Sequence, residues 1–197
     1  MTGGDTTEEI VIRLARQEDA EAIAAIYAPV VRETAISFEV EPPSAEEMAR
    51  RLDDTMPSHP WLVAERNGEV VGYAYAHRFA ERAAYAWSVE TSVYLAATAR
   101  GQRVGHRLYD ALIEVAIAQG YRQAIAGIRL PNPASVGLHE SFGFRRIGLY
   151  ERIGWKMGEW HDVGWWQRSL HVGDGPPDRP RRIDELGAGE LRQALER

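Results

Sequence analysis

Along the chain the hydrophobic pattern changes period several times, and each change marks an element. Ile10 to Ala15 alternates apolar and polar positions, the period of a half-buried strand. Ile23, Ile26, Tyr27 and Val30 then recur at helical spacing, with Pro29 expected to kink or shorten the last turn. Ser44, with Glu47 three residues on, forms a capping box that opens a second helix running to about Asp53. Trp61–Arg66 and Val70–Ala80 flank Asn67-Gly68, a pair that supplies the two positive φ angles of a type I′ hairpin. A further strand is expected from about Tyr85 to Leu95. After a polar, glycine-containing loop, Leu108, Leu112, Val115 and Ala116 predict an amphipathic helix closed by Gly120. Gln123–Arg129 reads as a short strand, and Asn132–Phe142 as a short helix ended by Gly143. Arg145–Leu170, rich in tryptophan and glycine, reads as two closing strands.

The order β-α-α-β-β-β-α-β-α-β-β predicts an α/β domain, a mixed sheet with helices on both faces. At 197 residues the chain suits one domain. Residues 1–9 are expected to be a flexible N-terminus and 10–171 the folded domain. Residues 172–197, charged and rich in proline and glycine, are expected to be a mobile tail or a short helix from about Ile183.

A formal net charge of -6 argues against a nucleic acid or an anionic membrane as partner, since either would call for a basic face. The absence of cysteine excludes disulfides, thiolate metal sites and a cysteine nucleophile. Met1–Glu9 has neither a basic stretch nor an apolar run, and no apolar segment approaches the length that spans a bilayer, so the expected location is the cytoplasm. His59, His77, His106, His161 and His171 lack metal-ligand spacing, and no metal is expected.

The segment Arg100-Gly101-Gln102-Arg103-Val104-Gly105 follows a strand and opens a helix. Free N–H groups at a helix N-terminus, with the macrodipole behind them, suit a diphosphate, and glycine lets the ligand approach the backbone. By itself this is equally an ordinary glycine-containing loop. In its context it resembles the acetyl-CoA loop of the GNAT acetyltransferase superfamily, Arg/Gln-x-x-Gly-x-Gly/Ala. Arg100 stands at the first position and Gly105 at the last, while Arg103 replaces the first pattern glycine. Donation by the loop backbone then requires a negative φ at Arg103, whose guanidinium is placed to meet a CoA phosphate.

The resemblance extends from Ile10 to about Leu170 and is to the phosphinothricin and methionine sulfoximine N-acetyltransferases of that superfamily. It is carried by Ile36-Ser37-Phe38, Pro60-Trp61-Leu62-Val63-Ala64-Glu65, the block Tyr85 to Tyr94, Leu130-Pro131-Asn132-Pro133-Ala134-Ser135, Leu138-His139-Glu140 and Trp160-His161-Asp162-Val163-Gly164. The resemblance implies a mostly antiparallel, twisted sheet with helices on both faces, a β-bulge in the strand before the loop, acetyl-CoA as co-substrate, a small-molecule amine as acceptor, and a homodimer. It implies that Glu90 deprotonates the acceptor amine and that His139, standing where many relatives have a tyrosine, acts as acid or shares the base role. Tyr94 and Tyr150 are alternative proton donors. Asn132 caps its helix by its residue type, and the resemblance adds contact with acetyl-CoA. Val93, Tyr94 and Leu95 are expected to offer backbone groups to the pantetheine arm, and Arg100 to His106 (Gly101, Gln102, Arg103, Val104 and Gly105 between them) to hold the diphosphate. Arg82, Tyr85, Trp87 and Phe38 are expected around the acceptor, with Arg82 pairing a carboxylate or phosphinate.

Chemistry sets the same requirements. An ammonium group must lose a proton before it attacks a thioester. With no cysteine to carry an acetyl group, direct attack in a ternary complex is the expected route. Acetylation of a different amine, or a non-catalytic acetyl-CoA-binding module, are the alternative readings. The remaining tryptophans, Trp155, Trp160, Trp165 and Trp166, are expected in the core or a dimer interface.

Overall fold

The computed structural model describes residues 9–173, 175 and 177–196; residues 1–8, expected to be flexible, lie outside the described residues. Seven strands form one sheet: β1 (Ile10–Leu14), β2 (Trp61–Arg66), β3 (Glu69–Arg78), β4 (Ser88–Leu95), β5 (Gln123–Leu130), β6 (Arg145–Lys156) and β7 (Glu159–Ser169). Their spatial order is β1-β2-β3-β4-β5-β7-β6, antiparallel throughout except that β4 and β5 run parallel. The helices are α1 (Ala20–Glu33), α2 (Ala45–Thr55), α3 (Val104–Gln119), α4 (Pro133–Ser141) and α5 (Ala188–Leu195).

Local chemistry explains most boundaries. Asn67 and Gly68 both take positive φ, 52° and 83°, and close the β2–β3 hairpin. Ser44 accepts a hydrogen bond from the Glu47 amide at the start of α2. Gly120, at φ 92°, ends α3 in the left-handed conformation that glycine adopts without strain. Pro29 does not end α1, which continues to Glu33. The strand expected from Tyr85 begins three residues later, because Ala83–Tyr85 forms a 3-10 turn.

Two cores cover the two faces. On one, Leu108, Tyr109 and Leu112 of α3 pack on Val89, Ala124, Ala126, Ile128 and Trp166. On the other, Ile23, Tyr27 and Val30 of α1 and Met48 and Leu52 of α2 pack on Trp61, Val63 and Tyr73. Burying these apolar side chains removes them from water at roughly 25 cal/mol per Å². An ion network ties β1 to the entry of α1: Arg13 donates to both Asp19 carboxylate oxygens at 2.7 and 2.8 Å and to Glu65 at 2.8 Å, while the Arg16 amide donates to Asp19 Oδ2 at 2.7 Å. Past β7, a 3-10 turn at Ile183–Glu185 and α5 lie against α3, where Ile183, Leu186 and Ala194 bury Val115. Gln119 fastens this tail by donating to the Arg181 and Ser58 carbonyls.

Candidate active site

β4 and β5 are in register only at Ser88↔Gln123, Val89↔Ala124 and Glu90↔Ile125. Beyond that, β4 continues to Leu95 beside β3, and β5 continues to Leu130 beside β7. The two strands therefore part at Glu90, and past it their facing edges border a slot in the sheet instead of pairing with each other. An extended chain carrying amides can enter such a slot and pair with a strand edge.

The register of β4 against β3 is unbroken from Gly72↔Leu95 to Arg78↔Val89, so the bulge implied by the resemblance is not found on that side; the shift in this half of the sheet lies in the β2–β3 pair, at Ala64/Glu65. Alternation then fixes the faces. Val89 and Thr91 turn toward α3, and Glu90 turns to the opposite face with Ser92 and Tyr94. Its carboxylate lies over Gly127 of β5: a Cβ placed there would sit 3.4 Å from Glu90 Oε1 and 3.2 Å from the Trp165 ring. Burial pushes the Glu90 carboxyl above its usual range, opposed by the charge of His77 directly across on β3. A carboxylate raised in this way is a better proton acceptor near neutrality.

His139 is buried on α4. Its Nδ1 lies 2.7 Å from the Ser135 carbonyl, which can only accept, so Nδ1 carries the proton and Nε2 presents a lone pair. Nε2 is buried without a partner among the described residues. The ring packs edge-on against Tyr109 at 4.8 Å and Phe144 at 5.3 Å. Tyr109 in turn hydrogen-bonds Thr91, on the α3 side of β4. Glu90 and His139 thus lie on opposite faces of the sheet, not side by side. Burial lowers the His139 pKa, only partly offset by its bond to Ser135, and favours the neutral ring.

The loop before α3 departs from expectation at one residue. Arg103 has φ 61°, not the negative φ expected for it, and caps α3 in the left-handed conformation; it adopts the geometry for which the pattern keeps a glycine, and the amides that follow remain without helical partners all the same. Gly101 is also left-handed, at φ 75°. The first helical bond runs from the Arg107 amide to the Arg103 carbonyl, which leaves the amides of Val104, Gly105 and His106 without helical partners. Arg100 and Arg103 are exposed beside them. Gln102 is turned away, its amide group bonded to the Thr98 carbonyl and to Arg66. His106 packs on Phe142 at 4.5 Å. Gly105 lies against Leu95, whose Cδ1 would be 3.3 Å from an added Cβ. Because a β-branched residue is strained at positive φ, Arg103→Val is expected to destabilise the fold by about 1–2 kcal/mol whereas Arg103→Gly does not; denaturant midpoints of the two variants measure the difference.

The remaining expected site residues occupy distinct places. Tyr94 joins Tyr27 and Tyr73 in an aromatic cluster, and its burial raises its pKa far above the range of a proton donor at neutral pH. Val93 and Leu95 pack toward α3. Tyr150 is exposed, its ring 5.7 Å from Trp165. Asn132 caps α4, its side-chain oxygen accepting from the Ser135 amide at 3.1 Å. Phe38 lies against Gly154, where a Cβ would collide with its ring, and Lys156 pins the neighbouring loop by donating to the Ser37 and Val31 carbonyls. Tyr85 meets Phe79, which meets Trp165, so these rings form a chain toward Gly127 and Glu90. Arg82 is exposed on the same loop as Tyr85. Trp87 instead donates its indole N–H to the Asp178 carbonyl of the tail. Trp165, expected from sequence only in the core or a dimer interface, joins the site, as do Gly127 and Gly154, which the sequence does not single out; a glycine inside a strand pattern is the signal that marks the two glycines as points of close approach. Trp166 is buried, while Trp155 and Trp160 are exposed.

A sheet split beside a raised carboxylate, with a basic, amide-rich helix start at one end, defines an acyl-transferase scaffold. The chain matches the acetyltransferase (GNAT) domain over residues 12–165 and belongs to that family. It is 42% identical to the phosphinothricin N-acetyltransferase of Alcaligenes faecalis over 165 residues, covering 83% of this chain and 84% of the relative. It is 35% identical to the L-methionine sulfoximine/L-methionine sulfone acetyltransferase of Pseudomonas aeruginosa, covering 81% of this chain and 94% of the relative. A phosphinothricin acetyltransferase from Sinorhizobium meliloti, solved with acetyl-CoA, superposes with a TM-score of 0.83 at 37% identity, covering 90% of this chain and 97% of that one. Among the described residues no helix is long and apolar enough to cross a membrane, and no group of three or more acidic or histidine side chains is placed to hold a metal.

Proposed function

We propose that the chain transfers an acetyl group from acetyl-CoA to the amino group of a small amino-acid analogue, of the phosphinothricin, methionine sulfoximine or methionine sulfone type, by direct attack in a ternary complex. The observation that carries this reading is the parting of β4 and β5 at Glu90, where a slot for an amide-bearing arm meets a carboxylate of raised pKa. Bound there, acetyl-CoA would supply an acyl carbon whose bond to sulfur breaks as the bond to the amine nitrogen forms, the sulfur leaving as thiolate and taking up the proton that the nitrogen then sheds.

Each part of the chain has a share in this. The amides opening α3, with Arg100 and Arg103, hold the diphosphate. Val93, Tyr94 and Leu95 offer backbone groups to the pantetheine arm, and the Asn132 side chain, its oxygen engaged in capping, offers its NH₂. Glu90 accepts the ammonium proton, so that a neutral amine attacks. His139, with its proton committed to Ser135, accepts a hydrogen bond at Nε2 and orients a polar group in the slot; this tautomer does not donate a proton to the departing sulfur. Phe38 and the Tyr85–Phe79–Trp165 rings enclose the apolar stem of the acceptor, and Arg82 faces its acidic end from the loop.

A thiol-release assay tests the reading. Turnover is expected with phosphinothricin, methionine sulfoximine and methionine sulfone in preference to polyamines. Saturable acetyl-CoA binding without thiol release from any amine would leave a binding module instead. The same reading includes a cytoplasmic homodimer formed through the β6–β7 hairpin, where Ile153, Trp155, Met157 and Trp160 are exposed at 56%, 60%, 57% and 49%. Apolar exposure of this kind marks an association surface. Light scattering is expected to give the mass of two chains, and Trp155→Lys to return it to one.

A further inference from the structure

Besides Arg82 on its exposed loop, a second cation is placed to recognise the acceptor, whose two ends both carry oxygen acceptors. β5 alternates, so Ile125, Gly127 and Arg129 share the face that carries Glu90 and Trp165. Gly127 is the residue over which the Glu90 carboxylate lies, and Arg129 follows two positions along the same strand and face, about 7 Å farther at the usual strand rise. It is half-buried, and its Nε is buried with no hydrogen-bond partner among the described residues. Its guanidinium makes one bond, from Nη1 to the Pro131 carbonyl at 3.2 Å, and no ion pair among the described residues. Its Nε has lost water without gaining a partner, while Nη1 stays at the surface, and an oxyanion held on the fork supplies the missing bond. Arginines elsewhere are held by carboxylates, among them Arg13 by Asp19 and Glu65 and Arg51 by Glu39 and Glu47, and Arg122, whose Nε is likewise buried without a partner among the described residues, precedes β5 at the end away from the slot. Arg129 is the unpaired cation on the strand bordering the slot.

The geometry points to Arg129 as the receptor for the anionic end of the acceptor, a specificity-determining residue that selects amines bearing an oxyacid group. This rests on the reading that acceptor amines are acetylated beside Glu90. An α-amino acid analogue presents oxygen at both ends, an anionic carboxylate and a head that is an anionic phosphinate or a neutral sulfonyl; both are oxygen acceptors that a guanidinium fork fits.

The test is steady-state thiol release by wild type, Arg129→Gln and Arg129→Lys. The acceptors are phosphinothricin, methionine sulfone, methionine sulfone methyl ester, and the decarboxylated amine 3-(methylsulfonyl)propylamine. Arg129→Gln is expected to raise KM for the acidic acceptors by about 30-fold or more, in line with the loss of one charge-assisted pair. Its kcat is expected to stay within about threefold and its acetyl-CoA KM to be unchanged. Arg129→Lys, which keeps the charge but not the fork, is expected to recover part of the loss. If the carboxylate is the anion held, the ester and the decarboxylated amine are insensitive to the substitution. If the head group is held, all acceptors respond and phosphinothricin responds most. A KM that does not move for any acceptor, or a rise confined to acetyl-CoA, overturns the assignment of Arg129 while leaving acetyl transfer in place. A wild-type protein that releases no thiol with any of these amines overturns both. Melting curves confirm that each variant is folded; if Arg129→Gln is not, the comparison of Arg129→Lys with wild type decides on the same KM readout.

Discussion

Glu90→Gln is expected to lower kcat by about 10²- to 10⁴-fold with little change in acetyl-CoA affinity, the range that loss of a positioned general base produces. Glutamine keeps the size and hydrogen-bonding oxygen of the side chain but cannot take a proton. The pH profile gives the sharper reading. Burial disfavours the charged carboxylate and raises its pKa, so the proton is held to a higher pH than on an ordinary glutamate. Since the ionised form is the active one, the acid limb of kcat/KM is expected above the usual carboxylate range. That limb disappears in Glu90→Gln. In His77→Ala it moves higher still, because the opposing charge across β3 is gone. A Glu90→Gln enzyme within a few-fold of wild type over about pH 6–9 removes Glu90 from the base role.

The second large effect is on stability. Asp19 is buried and accepts three hydrogen bonds, two from Arg13 and one from the Arg16 amide. Asp19→Ala leaves Arg13 facing a vacated site with only Glu65 as counter-charge, and is expected to cost about 3 kcal/mol, the lower end for breaking a buried pair. Burial alone pushes the Asp19 carboxyl up, but the bonds from Arg13 and Arg16 outweigh it and hold the pKa below the ordinary value. A carboxyl whose folded pKa is depressed contributes stability that is fully present above its unfolded pKa, near 3.9, and is lost as pH falls through the folded value. The gap between wild type and Asp19→Ala in urea unfolding is therefore expected to be constant from about pH 5 to 7 and to shrink below about pH 4. A gap that widens as the solution becomes more acidic contradicts this account.

Much of this architecture is legible in the chain because local signals agree with one another. Asn67-Gly68, the Ser44–Glu47 cap and Gly120 each set a boundary by backbone chemistry that no tertiary contact overrides. Pro29 does not cut α1 short, because the contacts of Val30 and Val31 with the core carry the helix onward past it. Tyr85 misleads because its apolar ring packs on Phe79 from a 3-10 turn rather than from a strand. At the site, Glu90 is located by its sequence context, but its facing follows only from the unbroken β3–β4 register. That Glu90 and His139 lie on opposite faces of the sheet has no local signature, since it depends on which face each element covers. Arg103 is legible as a substitution for glycine yet not as a left-handed residue, because φ at that position is set by the helix that follows. Arg129 goes unnoticed in sequence because a strand arginine is ordinary until its neighbours are known to leave it unpaired.

The short β4–β5 register has a mechanical consequence. Strands β1 to β4 form one plate and β5 to β7 another, each laced along its length, while three residue pairs join them at one end. Any widening of the gap between the plates turns about that junction as a gate turns about its post. Glu90 stands at the post, so its carboxylate shifts least, while Leu95 and Leu130 at the free ends swing farthest. A mouth that widened in this way would change the spacing at Leu95 and Leu130 while leaving the Glu90 carboxylate over Gly127.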